Sequence, residues 1–396
     1  MGRIVVAGTF DTKAEPLNLL VGTLVAMGET PITIDVGVFG GEHSCQYPAT
    51  AVAEAAGYSL EDVPPLGRAT AVTVMSEGAG KILRECVEEG DVAALVCMGG
   101  SNAATVFAKL ASVLPIGIPK ILMATVVAGE TRPFVNASDA ILLYPIVDIE
   151  GNNSILRGMI TRLAHVAVAA LRSGRLQQSG DAERSVALTM FGVTTKCVSH
   201  CRSLLAAQGF ESFVFHGNGS GGKSLESFVA QSLVSLVIDI TISELTDDLF
   251  GGLWSAGPER LRTASERGVP QVIAPGAIDM IDFGPLSSVP ERYRNRILHR
   301  HNDLATLVRT TPEENRRVGE CVAKRLAQPT APTAVLIPTQ GFSALDVRGG
   351  PFFDPEAVGA FTEGLRAHLS PSVSLVEIDY HINDPEFAEA LVAEAV

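Results

Sequence analysis

The chain alternates short apolar runs with longer stretches whose apolar positions recur every three or four residues. Arg3–Gly8 (RIVVAG) reads as a buried strand. Thr9-Phe10-Asp11-Thr12-Lys13 follows, then helical spacing through Leu17, Leu20, Leu24 and Val25, a stop at Gly28, and a second strand at Ile32–Val36. Arg68–Cys86, behind Pro64-Pro65, predicts a long helix. Ala93–Met98 is uninterruptedly apolar, as a strand covered on both faces is. It runs into Gly99-Gly100-Ser101-Asn102 and a helix carrying Val106 and Leu110. Strands at Lys120–Ala124 and Ile141–Val147 and a long apolar helix at Asn153–Leu171 complete the first half.

The polar stretch Ser173–Arg184 reads as a linker, after which the pattern restarts. A strand at Val186–Phe191, a turn at 192–196, a helix at Cys197–Ala207 and a strand at Phe213–Phe215 come first. Strands at Leu236–Ile240, Gln271–Ile273, Pro332–Pro338 and Val373–Ile378 and a closing helix at Phe387–Ala395 follow. This alternation predicts an α/β protein of two Rossmann-like, doubly wound domains with mostly parallel sheets, 1–178 and 185–396. GTFDTK at 8–13 and GVTTK at 192–196 both follow a strand and open a helix. Duplication and the default α/β pattern account for that equally.

Composition narrows the partners. Thirty basic against 44 acidic residues give a net charge of −14, which disfavours nucleic acid and membrane surfaces. The one basic cluster, Arg292, Arg294, Arg296, His299, Arg300 and His301, reads as a solvated helix face. Six cysteines without a CxxC pair suit a reducing, cytoplasmic setting. No leader is expected ahead of the strand at Arg3, and no apolar run of membrane-spanning length is expected.

Candidate chemistry gathers where strands end. Gly8, Thr9, Gly99, Gly100, Ser101 and Asn102 sit at two strand ends expected to be neighbours. Ser101 and Asn102 are expected to cap the helix, whose first N–H groups would favour phosphate or carboxylate. Lys13 and Arg68 supply positive charge; Asp11 and Asp35 suit Mg²⁺ or a ribose hydroxyl. Plain helix capping also explains Asp11. In the second half, 217–224 (GNGSGGKS) matches a phosphate-cradling loop, with Gly219, Gly221, Gly222 and Lys223 as its core and Asp239 on the following strand. His216, Asp239, His301, His381 and Asp384 are candidate catalytic residues among the polar residues crowding that half; helix caps explain the crowding as well.

Several segments together, GTFDTK (8–13), MGGS (98–101), VFHGNGSGGKS (214–224), DITISEL (239–245), GGLWSAGPERL (251–261) and HINDPEFA (381–388), resemble a family of mostly uncharacterised bacterial and plant proteins. Its known member is the N-terminal inhibitor domain of the tomato mosaic virus resistance protein. The resemblance implies two Rossmann-like domains, an ATP site in the first and a homodimer. Carried over, Gly8, Thr9 and Phe10 would line the nucleotide, Arg68 would reach its phosphates, and Gly100 to Ala103 would form a second cradle. It also makes the Lys223-Ser224 match to a P-loop coincidental. Three functions follow. One is a Mg²⁺-dependent, ATP-using enzyme of phosphoryl transfer or ligation acting on a small acidic metabolite. The others are an ATP-regulated protein-binding module and an organic-acid-binding enzyme that uses no nucleotide.

Overall fold

The computed structural model describes residues 2–41, 44–135, 137–174 and 184–396. The chain separates into two compact units, Met1–Gln177 and Gln178–Val396. Most of the stretch read as a linker, residues 175–183, lies outside the described residues.

In chain order the first unit comprises β1 (Arg3–Gly8), α1 (Ala14–Ala26), β2 (Ile32–Asp35), α2 (Ala49–Ala56), α3 (Arg68–Glu88), β3 (Val92–Gly99), α4 (Ser101–Val113), β4 (Lys120–Ala124), the short α5 (Arg132–Val135), β5 (Ala140–Leu143) and α6 (Ser154–Ser173). Its five strands are all parallel, in the order β2-β1-β3-β4-β5. Alternate residues of β1 serve opposite faces. Val5 and Ala7 join a core with Met75, Leu83, Phe107 and Leu110, while Ile4 and Val6 join Leu17, Leu20, Ile160 and Leu163. Helices on both faces explain why β3 is apolar without interruption. The helix α6 is long and apolar enough to cross a membrane by length and composition, which departs from the sequence expectation. It buries Leu156, Met159, Ile160, Leu163 and Ala167.

The second unit comprises β6 (Ser185–Met190), α7 (Thr195–Ala207), β7 (Glu211–His216), α8 (Ser220–Ala230), β8 (Leu236–Thr241), α9 (Ser243–Phe250), α10 (Thr263–Arg267), β9 (Gln271–Gly276), β10 (Met280–Phe283), β11 (Leu298–Asn302), β12 (Ala305–Arg309), α11 (Pro312–Arg325), β13 (Thr333–Pro338), α12 (Pro355–His368), β14 (Ser374–Ile378) and α13 (Pro385–Ala395). Its main sheet is parallel, in the order β7-β6-β8-β9-β13-β14. Counted from the unit's own first strand this is 2-1-3-4-5-6, so both units begin with the same winding. A small antiparallel sheet, β10-β12-β11, is added.

That sheet corrects the reading of the basic cluster. His299, Arg300 and His301 lie on the strand β11, not on a helix. Arg296 grips Glu314 and lies over the Tyr293 ring, and Arg292 donates to the Phe250 carbonyl. The cluster is in part an anchor.

Candidate functional site

In the first unit the chain leaves β1 toward β2 on one side and later places β3 on the other. The switch point of the winding therefore lies between β1 and β3, where open parallel sheets bind ligands. The turn after β1 is tight: the amides of Thr12 and Lys13 both donate to the Thr9 carbonyl. After β3 the backbone turns through Gly100 straight into α4, and no side chain caps that helix. Ser101 is its first residue rather than its cap, which corrects the capping expectation. A cleft of about 710 Å³ opens here. Thr9, Asp11, Thr12 and Lys13 form one wall, and Gly100, Ser101, Asn102 and Ala103 form the floor. Val36–Phe39, Pro64, Arg68, Ala71, Val72, Val106, Thr125 and Asp148 complete the lining.

The sequence-selected residues divide inside this frame. Phe10 turns away from the cleft into the core, with 1% exposure. Gly8 ends β1 with the Leu17 side chain packed beside it. Asp35 is buried, its Oδ1 accepting from the amides of Phe10 (3.0 Å) and Gly37 (2.8 Å). It fastens two turns together and does not line the cleft, which removes the Mg²⁺ or ribose role read for it. Asp11 is no helix cap. Its Oδ2 accepts from Val38 (2.8 Å) and Phe39 (3.0 Å), while its Oδ1 is buried without a partner among the described residues. Lys13 is paired with Glu150. Arg68, the first residue of α3, is exposed on the cleft with no ion pair among the described residues. The loop at 37–41, long enough in the sequence to fold over a ligand, supplies Gly37, Val38 and Phe39 to the lining, whereas Asp148 carried no signal in the sequence.

In the second unit the glycine loop after β7 is filled by the chain's own side chains. Glu244, at the start of α9, accepts from the amides of Gly219 (2.6 Å) and Gly222 (3.0 Å). A side chain at Gly222 would run into that carboxylate. The P-loop-like cradle is thus occupied by an internal carboxylate, which corrects the expectation that Gly219, Gly221, Gly222 and Lys223 receive phosphate or acid. Arg260, fully buried, binds Glu244 through Nε (2.7 Å), clasps Asp239 with both terminal nitrogens and approaches Glu226. Burial opposes the Arg260 charge, but the facing carboxylates more than offset it and raise its pKa. Asp239 also accepts from Thr189 (2.7 Å). It is an ion-pair partner in the interior rather than a group facing a substrate.

The remaining candidates occupy separate surroundings. His216 ends β7, exposed, its ring 5.4 Å from that of Phe191. His301 is exposed on β11. His381 is buried with both ring nitrogens engaged: Nδ1 accepts from the Asn383 amide (3.1 Å) and Nε2 meets the Ser343 carbonyl (2.9 Å). Asp384 accepts from the His381 amide (2.8 Å) and precedes α13. The second unit also holds several buried carboxylates. Burial, against hydrogen bonds from Asp282 and Trp254, pushes Asp247 up to about 7. Burial and the Asp346 charge push Asp279 to about 7. Asp282, with neither oxygen partnered among the described residues, is pushed well above its usual range by burial and by Asp247. No group of three or more His, Cys, Asp or Glu among the described residues is placed to hold a metal ion.

Two family models cover nearly the whole chain. The model described as "Uncharacterised protein family (UPF0261) N-terminal domain" matches residues 2–176, and that of the C-terminal domain matches 183–396. The chain belongs to the UPF0261 family. A UPF0261 protein of Clostridium tetani is 34% identical over 397 residues, covering 100% of this chain and 98% of the relative. One from Rhizobium meliloti is 37% identical over 396 residues, covering 99% and 98%. This UPF0261 chain is also 35% identical over 332 residues to the ToMV resistance protein Tm-1(GCR237) of Solanum lycopersicum, covering 82% of this chain and 44% of that protein. Among solved structures, a UDP-N-acetylglucosamine 2-epimerase from Rickettsia bellii aligns over 92% of this chain and 93% of its own, at 10% identity and a TM-score of 0.24.

Proposed function

We propose that this UPF0261 protein binds a nucleotide polyphosphate, ATP in the first instance, in the cleft at the β1/β3 switch point of its first unit. The observation that carries the reading is the uncapped start of α4 at Ser101, opening onto that cleft beside Arg68. Unpaired first-turn amides and the helix dipole favour an anion, and an arginine fork matches phosphate oxygens. Gly100 fits the role, because it lines the cleft and no atom lies within 4 Å of its Cβ position. Asp11 Oδ1, buried and without a partner, suits the Mg²⁺ that accompanies a nucleotide. That ion would shield charge between phosphate oxygens.

Titration calorimetry with ATP, ADP and AMP tests the reading. Amides that read phosphates give ATP the highest affinity and AMP the lowest. Binding of a plain dicarboxylate with no binding of ATP would replace the nucleotide with an organic acid.

A second reading has its own support. His381 and Asp239 are engaged in internal bonds and Asp384 serves a turn, which favours a binding module over an ATP-using enzyme. On this reading nucleotide stabilises a form that engages another protein, and capture of a partner depends on added ATP. Steady ATP turnover with a carboxylate co-substrate would instead restore the enzyme.

A further inference from the structure

We infer that the 37–39 loop is a ring-binding wall, with Phe39 as the residue that stacks on the ligand's base and Asp11 as the residue that positions it. This rests on the nucleotide reading above and adds how the base is recognised. Phe39 lines the cleft with 76% of its surface exposed, a costly placement for a phenyl ring unless something flat covers it. The loop that presents it is held firmly. Asp11 Oδ2 accepts from both the Val38 and Phe39 amides, and Asp35 holds the Gly37 amide. Gly37 lies so close to Asp11 that any side chain there would displace the carboxylate. The backbone that carries the ring is therefore set in place before a ligand arrives.

The apolar part of the lining bears on how the base is read. Beside Phe39 it comprises Val36, Val38, Pro64, Ala71 and Val72, none with a hydrogen-bonding side chain, and Arg68 on the same helix as the last two is the group assigned above to the phosphates. The acid at the end of β2, which in dinucleotide-binding folds reads the ribose, is here Asp35, buried and fastening two turns. Recognition on this wall is by the face of the ring and not by its edge. Stacking is sequence-tolerant because every base has a π-face, and larger rings stack over more area. The site therefore takes purine nucleotides with little discrimination between adenine and guanine, and pyrimidine nucleotides more weakly.

The test compares affinities of the full chain for ATP, GTP, UTP and inorganic tripolyphosphate. ATP and GTP bind within a few-fold of each other, UTP more weakly and tripolyphosphate more weakly still. Phe39→Ala lowers ATP affinity by roughly tenfold or more, toward that of tripolyphosphate, leaving tripolyphosphate binding unchanged; Phe39→Trp restores it. Measured in Mg²⁺-free buffer, where the carboxylate has no ion to hold, Asp11→Ala frees the loop and lowers ATP affinity while leaving tripolyphosphate binding unchanged. If ATP and tripolyphosphate bind equally well, or Phe39→Ala changes neither, the phosphate site stands and the ring wall falls. A preference for ATP over GTP beyond a hundredfold overturns face recognition. If neither ATP nor tripolyphosphate binds, the nucleotide reading fails and this inference with it.

Discussion

The two units begin with the same winding yet differ in what reaches the polar backbone at a glycine-bearing strand end, after β3 in the first and after β7 in the second. In the first, the start of α4 is left uncapped and opens onto a cleft. In the second, amides of the loop after β7 are satisfied by Glu244, which Arg260 ties to Asp239. One unit leaves polar backbone open on a cleft; the other satisfies it with its own carboxylate. A shared topology places polar groups at a sheet edge, but whether they serve binding or stability depends on one or two side chains that reach them.

The largest effect should come from breaking the internal network. Arg260→Met leaves Asp239 and Glu244 buried without their cation, and should destabilise the second unit by about 3–5 kcal/mol, read by denaturant unfolding. A loss below about 1 kcal/mol would show that water already reaches these carboxylates. Next, Gly100→Val places a branched side chain into the open space of the cleft. ATP affinity should fall by about a hundredfold or more with the melting temperature nearly unchanged, since about 3 kcal/mol of contact is blocked. Unaltered binding would move the phosphate elsewhere.

Smaller changes sharpen the contrast. Arg68→Ala removes one charge-assisted contact and should weaken ATP by about tenfold, with a shallower dependence on salt. Glu244→Ala should make the second unit resemble the first: phosphate raises the variant's melting temperature but not that of the parent chain, because an anion replaces the lost carboxylate. The smallest effect concerns pH. Asp247 and Asp279, raised to about 7, and Asp282, raised further, hold protons in the folded state that the unfolded chain has released. More protons bound when folded means that their contribution to stability is full below about pH 4 and declines as pH climbs to about 7 and beyond. Asp282→Asn should flatten that decline in melts taken between pH 5 and pH 8; identical slopes would show Asp282 ionised in the fold.

Much of the architecture was legible because burial on two faces leaves a plain mark. Ala93–Met98 is apolar at every position, and the structure places β3 third of five strands. The small antiparallel sheet left no such mark. Strand β11 reads Leu-His-Arg-His-Asn, and its basic residues look helical or solvated until β12 pairs with it. At the site, the two glycine turns could be found from sequence because each follows its own strand. The loop at 37–41 is also visible there from its glycines, but what holds it is not, because the Asp11 and Asp35 bonds form only in the fold.

The sequence by itself determined two parallel α/β units and which strand ends carry glycine and polar residues, since periodicity and turn chemistry are local properties of the chain. Tertiary structure alone decided which of those ends stay open. GNGSGGKS has the composition of a phosphate loop, but Glu244, twenty residues beyond its last serine, reaches its amides first. A hydrogen-bonding group is available to a ligand only if no distant side chain has already satisfied it, and that depends on the folded path of the whole unit.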